Sequence, residues 1–509
     1  MTIAAPLALR PGDEARLTAV LRASSGSAGL AVRARIVLLA SQGTANAEIA
    51  RLVGVSGPTV LAWRNRYLAG GLAGLGDLPR SGRPAVHDEL AVVTATFELA
   101  REAAGTASGP LAGVPTFFKD LLQVKGVRTA WGTAASGQFI SKRDDPTTKL
   151  LRGTGLVSLG KSATPEHGLI PTTEPLAFGP CRNPWAMEHS TGGSSGGAAA
   201  LVASGAVPIA HGSDGGGSIR IPAGCCGLVG LKPSRGKLDM EGSNLLPVNI
   251  AVHGVLSRSV RDTVAFWKAI DAQRPPRKRM LAAGVASRPR RLKIAVYVEP
   301  PTGGQVDPEV RAAVEGTAKL LRELGHEVRE VACPIPDSVV PDFLALWALV
   351  AFAQSHSGLM LMGKGFAAQK LEPWTHGFAA RFKASPLAAA RGMLRLRRFT
   401  AAYAELMKAQ DVLVCPTTAQ LTPKLGHLAV DLPFDLGLER VMAYTPFAAV
   451  MNASGAPAVS LPLFRSASKL PIGVQFSAAH GADQTLLELA EELETARPWQ
   501  QIAPRPANA

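Results

Sequence analysis

The sequence predicts an α/β protein with a central mixed β-sheet covered by helices on both faces, preceded by a small all-α helix-turn-helix domain. Three observations carry this reading. The chain has 509 residues, beyond the size at which one hydrophobic core keeps growing, so more than one domain is expected. Its residues are 47% apolar but only 5% aromatic, which leaves a core built mainly from Ala, Val and Leu and fits a helix-rich α/β domain. Residues 1–88 read as short helices joined by glycine turns, whereas residues 89–509 alternate strand and helix patterns with glycine- and serine-rich loops.

In the first domain, Val32, Ile36 and Leu39 recur at helical spacing and Gly43 closes their helix. A second helix is expected from Asn46 to Val53, with Ile49 and Val53 inward, and Gly54 makes the turn. Ser56 is placed as N-cap and Pro58 in the first turn of a third helix, which Val60, Trp63 and Tyr67 bury. As the reading helix of such a unit, it would offer Ser56, Thr59, Arg64, Asn65 and Arg66 to the phosphates and base edges of duplex DNA, weakly for a single half-site.

In the second domain, Ile294 to Val298, Asp411 to Thr417 and Pro471 to Phe476 read as strands. Asp307 to Leu324 reads as an amphipathic helix with Val310, Val314, Leu321 and Leu324 on one face. No apolar run is read as long enough to span a bilayer, and the first twelve residues lack the pattern of a signal peptide, so a cytoplasmic protein with no membrane partner is expected. The five cysteines are scattered, without a C-x-x-C pair, which argues against structural zinc and a disulfide framework. The formal net charge of +15 sits partly in Pro-interrupted basic clusters that read as solvated surface, so charge alone does not assign nucleic-acid binding.

The chemistry concentrates in three stretches: Gly113 to Asp120, Gly192 to Gly197, and Gly212 to Pro222. They set Lys119, Ser194, Ser195 and Ser218 among glycines. A serine hydroxyl is a poor nucleophile until a base takes its proton. Lysine does so only when neutral, and desolvation beside Phe117 and Phe118 is one route to neutrality. A second serine can relay the proton, because a hydroxyl both donates and accepts. Gly215, Gly216 and Gly217, with the Ser218 amide, offer unobstructed N–H groups for an oxyanion hole. Gly192 to Gly196 also matches the G-x-S-x-G elbow of another hydrolase class, which requires a strand directly before it; the preceding Arg182 to Trp185 and Ser190-Thr191 read instead as turn chemistry.

The ordered phrases G-P-L-A-G-V-P-T-F-F-K-D, G-K-S-A-T-P-E, T-T-E-P-L-A-F-G-P-C-R-N-P-W, T-G-G-S-S-G-G, A-H-G-S-D-G-G-G-S-I-R-I-P and L-P-I-G-V-Q resemble the amidase signature family. The resemblance implies that fold and an amide hydrolase with a Ser-Ser-Lys triad, in which Ser218 is the nucleophile, Ser194 the bridging serine and Lys119 the base. It also implies a cis peptide at Gly193-Ser194, supporting roles for Ser213, Asp214 and Arg220, a small linear or cyclic amide as substrate, and no metal or organic cofactor. The T-T-E-P and A-H-G-S-D stretches lean toward aminohexanoate cyclic-dimer hydrolases. Ala163 stands where the family commonly has asparagine, and His167 is expected in a wall or at the surface rather than as a second base.

The family's helices ahead of G-P-L-A-G-V-P are not recognisable before Leu90, so the domain 89–509 is expected to be shortened at its start. The segment from Arg33 to Pro84 resembles the DNA-binding part of mariner-like insertion-sequence transposases. Two other functions stay open at this point: a DNA-binding fusion protein whose amidase part is inactive, and an amidotransferase-like subunit acting on aminoacyl-tRNA. The oligomeric state is not legible.

Overall fold

The computed structural model describes residues 6–22, 28–55, 57–75, 89–242, 248–281, 291–362 and 365–504. They fall into two compact units, 1–85 and 86–508.

The first unit contains α1 (Asp13–Arg22), α2 (Ala28–Ser41), α3 (Asn46–Val53) and α4 (Gly57–Gly70). Gly54 caps α3 in the left-handed conformation (φ 73°), its N–H donating to the Ala50 carbonyl, a geometry that glycine adopts without a Cβ penalty. Leu17, Ile36, Val37, Ile49, Val60 and Tyr67 form the core, and the Tyr67 hydroxyl donates to Asp13 Oδ2 at 2.6 Å. Val32, Leu39 and Trp63 lie only partly buried at its margin. Trp63 is held there by cations, since the Arg33 and Arg66 guanidinium groups lie 4.5 and 4.2 Å from its ring. The expected cap, Ser56, lies outside the described residues.

The second unit opens with β1 (Val92–Ala95), α5 (Phe97–Thr106), β2 (Pro115–Lys119), α6 (Pro146–Gly153) and β3 (Val157–Ser162). The three strands form one sheet in the order β1-β3-β2, with β2 parallel and β1 antiparallel to β3. A two-stranded ribbon, β4 (Arg182–Asn183) and β5 (Ala186–Ser190), leads to α7 (Gly196–Ala203). Next come β6 (Ile209–Asp214), α8 (Arg220–Cys226), β7 (Val229–Lys232), β8 (Val252–Ser257), α9 (Val260–Ala272), β9 (Lys293–Val296), α10 (Pro308–Glu323) and β10 (Glu327–Glu330). The helices α11 (Val339–Met362), α12 (Pro373–Ala384) and α13 (Pro386–Leu406) follow. The chain then runs through β11 (Val412–Pro416), α14 (Phe434–Tyr444), α15 (Ala449–Ser454), β12 (Ala458–Arg465), β13 (Pro471–Ala478) and α16 (Asp483–Ala496).

An eight-stranded mixed sheet in the order β10-β9-β11-β13-β12-β7-β8-β6 is the centre of this unit. β10, β9 and β11 pair in parallel, and the remaining pairs are antiparallel. Strand alternation divides the core between its faces. Val412 and Val414 meet Trp267, Val314 and Leu486 of α9, α10 and α16. Leu413 and Cys415 meet Leu346, Phe399 and Val450 of α11, α13 and α15. On α10, Val310, Val314 and Leu321 are buried, whereas Leu324 lies beyond the helix end and is only partly covered.

Two expectations need correction. Within α11, Val339 to His356 is long and apolar enough to cross a bilayer, with mean hydropathy 1.3. In the structure its Asp342 is ion-paired with Arg395 of α13, and the helix packs against α12 and α13. Ahead of Gly192 the expected turn is confined to Pro184-Trp185, and Ala186–Ser190 is a strand, β5. It belongs to the small ribbon and not to the main sheet, which is where a nucleophile elbow is seated.

Candidate active site

Lys119 ends β2, where its side chain is fully buried. The strand is anchored beside β6, because Thr116 Oγ1 donates to the Ile209 carbonyl at 3.0 Å and the Lys119 N–H donates to His211 Nδ1 at 3.2 Å. Lys119 Nζ lies 2.6 Å from Ser194 Oγ, 3.0 Å from Ser195 Oγ and 3.5 Å from the Ser213 carbonyl. Burial lowers the Lys119 pKa to about 7, against the opposing charge of Asp214.

Ser194 precedes α7 and follows a cis peptide at Gly193. A Cβ on Gly193 would stand 2.4 Å from the Thr172 carbonyl oxygen, so the turn closes only with glycine there. Ser195, to which the resemblance gives no role, also reaches Lys119 through its hydroxyl, which receives the Ser213 N–H at 3.3 Å. Ser194, Ser213, Gly215 and Ser218 line one cavity of about 490 Å³. A second lobe of about 70 Å³, lined by aromatic side chains that include Phe343, Trp374 and Phe378, shares Ser218 and adds Gly216. Among the described residues Ser218 Oγ makes no hydrogen bond, so the structure brings Lys119 to Ser194 but does not close the step from Ser194 to Ser218. Such bonds are often long in ligand-free sites and tighten around substrate.

Asp214 and Arg220 hold the loop between them. Arg220 donates from Nε to Asp214 Oδ2 at 3.0 Å and from a terminal nitrogen to Oδ1 at 2.9 Å. The guanidinium also donates to Gln475 Oε1, Asn452 Oδ1 and the Ala448 carbonyl. Burial pushes the Asp214 carboxyl up, but the Arg220 charge and hydrogen bonds more than offset this, and it lies well below the usual carboxylate range. Asp214 also accepts the Gly217 N–H at 2.8 Å and the Ile219 N–H at 3.1 Å. This corrects the oxyanion assignment, because the Gly217 amide is already spent on Asp214. Among the described residues the Gly215, Gly216 and Ser218 amides donate to no protein acceptor.

Sequence reasoning missed Asn452 and Gln475, which complete the Arg220 network, and His211, which orients Lys119. Gln475 and His211 stood inside quoted phrases but were assigned no role; nothing local marks Asn452. On the first unit, Arg64 is buried and donates to Asn46 Oδ1 at 3.2 Å. Asn65 is exposed, Thr59 and Arg66 are half-buried, and Arg66 stacks on Trp63. The candidates therefore do not form one outward row.

Residues 86–487 match the family described as Amidase, and residues 33–89 match a winged helix-turn-helix family. The chain belongs to the amidase signature family, has its fold, and carries an N-terminal helix-turn-helix domain. It is 43% identical over 420 residues to AmiC of Mycobacterium tuberculosis, a protein named as an amidase, covering 81% of this chain and 88% of AmiC. It is 36% identical over 456 residues to the 6-aminohexanoate-cyclic-dimer hydrolase of Paenarthrobacter ureafaciens, covering 83% of this chain and 90% of that one. A solved structure of 6-aminohexanoate cyclic dimer hydrolase with substrate superposes with a TM-score of 0.72 at 33% identity, over 82% of this chain and 91% of that chain.

Proposed function

We propose that the second unit hydrolyses small linear or cyclic amides through an acyl-enzyme. Ser218 Oγ attacks the amide carbonyl while its proton passes through Ser194 to neutral Lys119. The tetrahedral oxygen takes N–H donors from Gly215, Gly216 and Ser218. The proton then returns through Ser194 to the departing amine, and water activated by the same relay cleaves the ester. The observation that carries this reading is a lysine buried enough to be half neutral near pH 7, within 2.6 Å of a serine hydroxyl. Two relatives named for cyclic-dimer hydrolysis favour a cyclic amide.

The test is covalent labelling of the full chain by a fluorophosphonate, mapped by mass spectrometry, alongside hydrolysis of the 6-aminohexanoate cyclic dimer. Modification of Ser218 with turnover is expected. Absence of both would remove the proposal.

A cytoplasmic setting is part of the reading, and all five cysteines are free thiols. So is a domain 89–509 shortened at its start, supported by exposed Leu90, Phe97 and Leu99. A second activity, weak binding of duplex DNA by the first unit, is favoured by the winged helix-turn-helix match. It predicts a mobility shift that weakens steeply with salt.

A further inference from the structure

Among the described residues three positions other than glycine have φ in the left-handed region: Trp131 at 51°, His167 at 52° and Lys469 at 65°. Lys469 sits in the turn between β12 and β13. The other two are coupled, since the His167 N–H donates to the Trp131 carbonyl at 2.8 Å, and both line the larger catalytic lobe. A side chain with a Cβ resists this backbone conformation, and residues held in it gather at ligand sites. Trp131 and His167 are each followed by a closely packed glycine. A Cβ on Gly132 would fall 2.4 Å from the Thr164 carbonyl oxygen, and one on Gly168 would fall 3.0 Å from Ser194 Oγ. His167 is thus one residue from a glycine that leaves room for no side chain beside the proposed relay serine.

The two side chains differ in how they are used. Trp131 leans on Phe139, ring centres 5.2 Å apart, and presents a flat apolar surface. His167 has no hydrogen-bond partner at either ring nitrogen among the described residues; its Nε2 is enclosed, which leaves Nδ1 as the nitrogen open to the cavity that the ring lines. Burial lowers the His167 pKa to about 4, so the ring is uncharged at neutral pH, with one donor nitrogen and one acceptor.

We infer that Trp131 and His167 form a recognition pair in the larger lobe of the site, which would then take the acyl chain, and in which His167 hydrogen-bonds an uncharged polar group of the substrate, an amide or hydroxyl, set apart from the scissile bond. The assignment rests on the amidase reading above. An uncharged ring supplies no countercharge to an ammonium or a carboxylate, but it matches either half of an amide. The preferred substrate is then an acyl chain with a second polar group along it, in preference to a plain hydrocarbon chain of equal length.

The test compares 3-acetamidopropanamide with hexanamide, whose acyl chains have equal length, by ammonia release from the full chain. Preference for the first is expected in the wild type. His167→Gly, which relaxes the backbone and removes the ring, lowers the ratio of the two kcat/KM values by about tenfold, the scale of one lost hydrogen bond. His167→Asn, which tolerates the left-handed conformation, restores part of it. The same ratio is read as affinity by calorimetry on Ser218→Ala. A ratio unmoved by His167→Gly in turnover and in affinity overturns the assignment. Ammonia release from neither amide, with the affinity ratio still dependent on His167, counts against the amidase reading alone.

Discussion

Lys119 Nζ stands 2.6 Å from Ser194 Oγ with no exposure to solvent on the lysine. The amine has one reason to be uncharged, burial, and one reason to stay charged, the negative charge of Asp214. Burial wins, which leaves an amine–hydroxyl contact instead of an ion pair, the arrangement that the proposed base and relay need.

Replacing Lys119 by Met removes the proposed base and leaves the packing. Amide turnover is expected to fall by about 10⁴-fold or more, as for other members of a catalytic set. Thermal stability rises, because a costly buried amine gives way to an apolar chain of similar length. Steady-state kinetics and circular dichroism melting check the two halves together.

The three hydroxyls are separable. Ser218→Ala abolishes fluorophosphonate labelling. Ser194→Ala slows it by about 10³-fold or more, and Ser195→Ala costs about tenfold, because its hydroxyl supports Lys119 without lying on the proposed path. Equal losses for Ser194→Ala and Ser195→Ala, measured as labelling rates, would assign the relay to both serines.

The Lys119 value of about 7 has a worked sign. For the reaction, kcat/KM falls with a slope of one as pH drops below about 7, since the base becomes protonated. For stability, the unfolded chain holds the proton up to about 10.4, whereas the folded chain releases it near 7. Between those values the unfolded state binds more protons, so this group's contribution makes the protein more stable as pH rises through the window and constant below it. A pH–rate profile and urea unfolding at several pH values in Lys119→Met and wild type resolve both effects.

Arg220→Met leaves Asp214 buried without its cation. A loss of about 3–5 kcal/mol is expected, the usual result of breaking one side of a buried pair. Asp214→Asn together with Arg220→Met recovers part of it. Urea denaturation of the single and double variants measures the coupling, and a single variant with a wild-type midpoint would contradict the network's role.

Much of the fold and site was legible because the glycines and small side chains of the site sit in contiguous phrases. Turn geometry at Gly193 and helix capping at Gly54 are short-range steric facts, visible in residue order. The α3 boundaries, β11 and β13 follow from local periodicity in the same way. Asn452 was not legible, since it meets Arg220 across 232 residues and no local pattern announces such a contact. Gly217 was misread because its amide, free in a chain diagram, is turned onto the Asp214 carboxylate by the fold. The margin positions Val32, Leu39 and Trp63 show the same limit, for helical spacing reports a face but not how deeply it is covered.

The residue order alone determined which chemical groups are available, a lysine and a set of serines among glycines, and where the chain changes from a small helical unit to a larger α/β one. Those follow from side-chain identity and local backbone freedom. Tertiary structure alone decided that Lys119 is buried, that two serines reach it, and that His167 lines a cavity without a hydrogen-bond partner among the described residues. Desolvation and proximity belong to the surroundings a side chain acquires on folding, and elements far apart in the chain supply them.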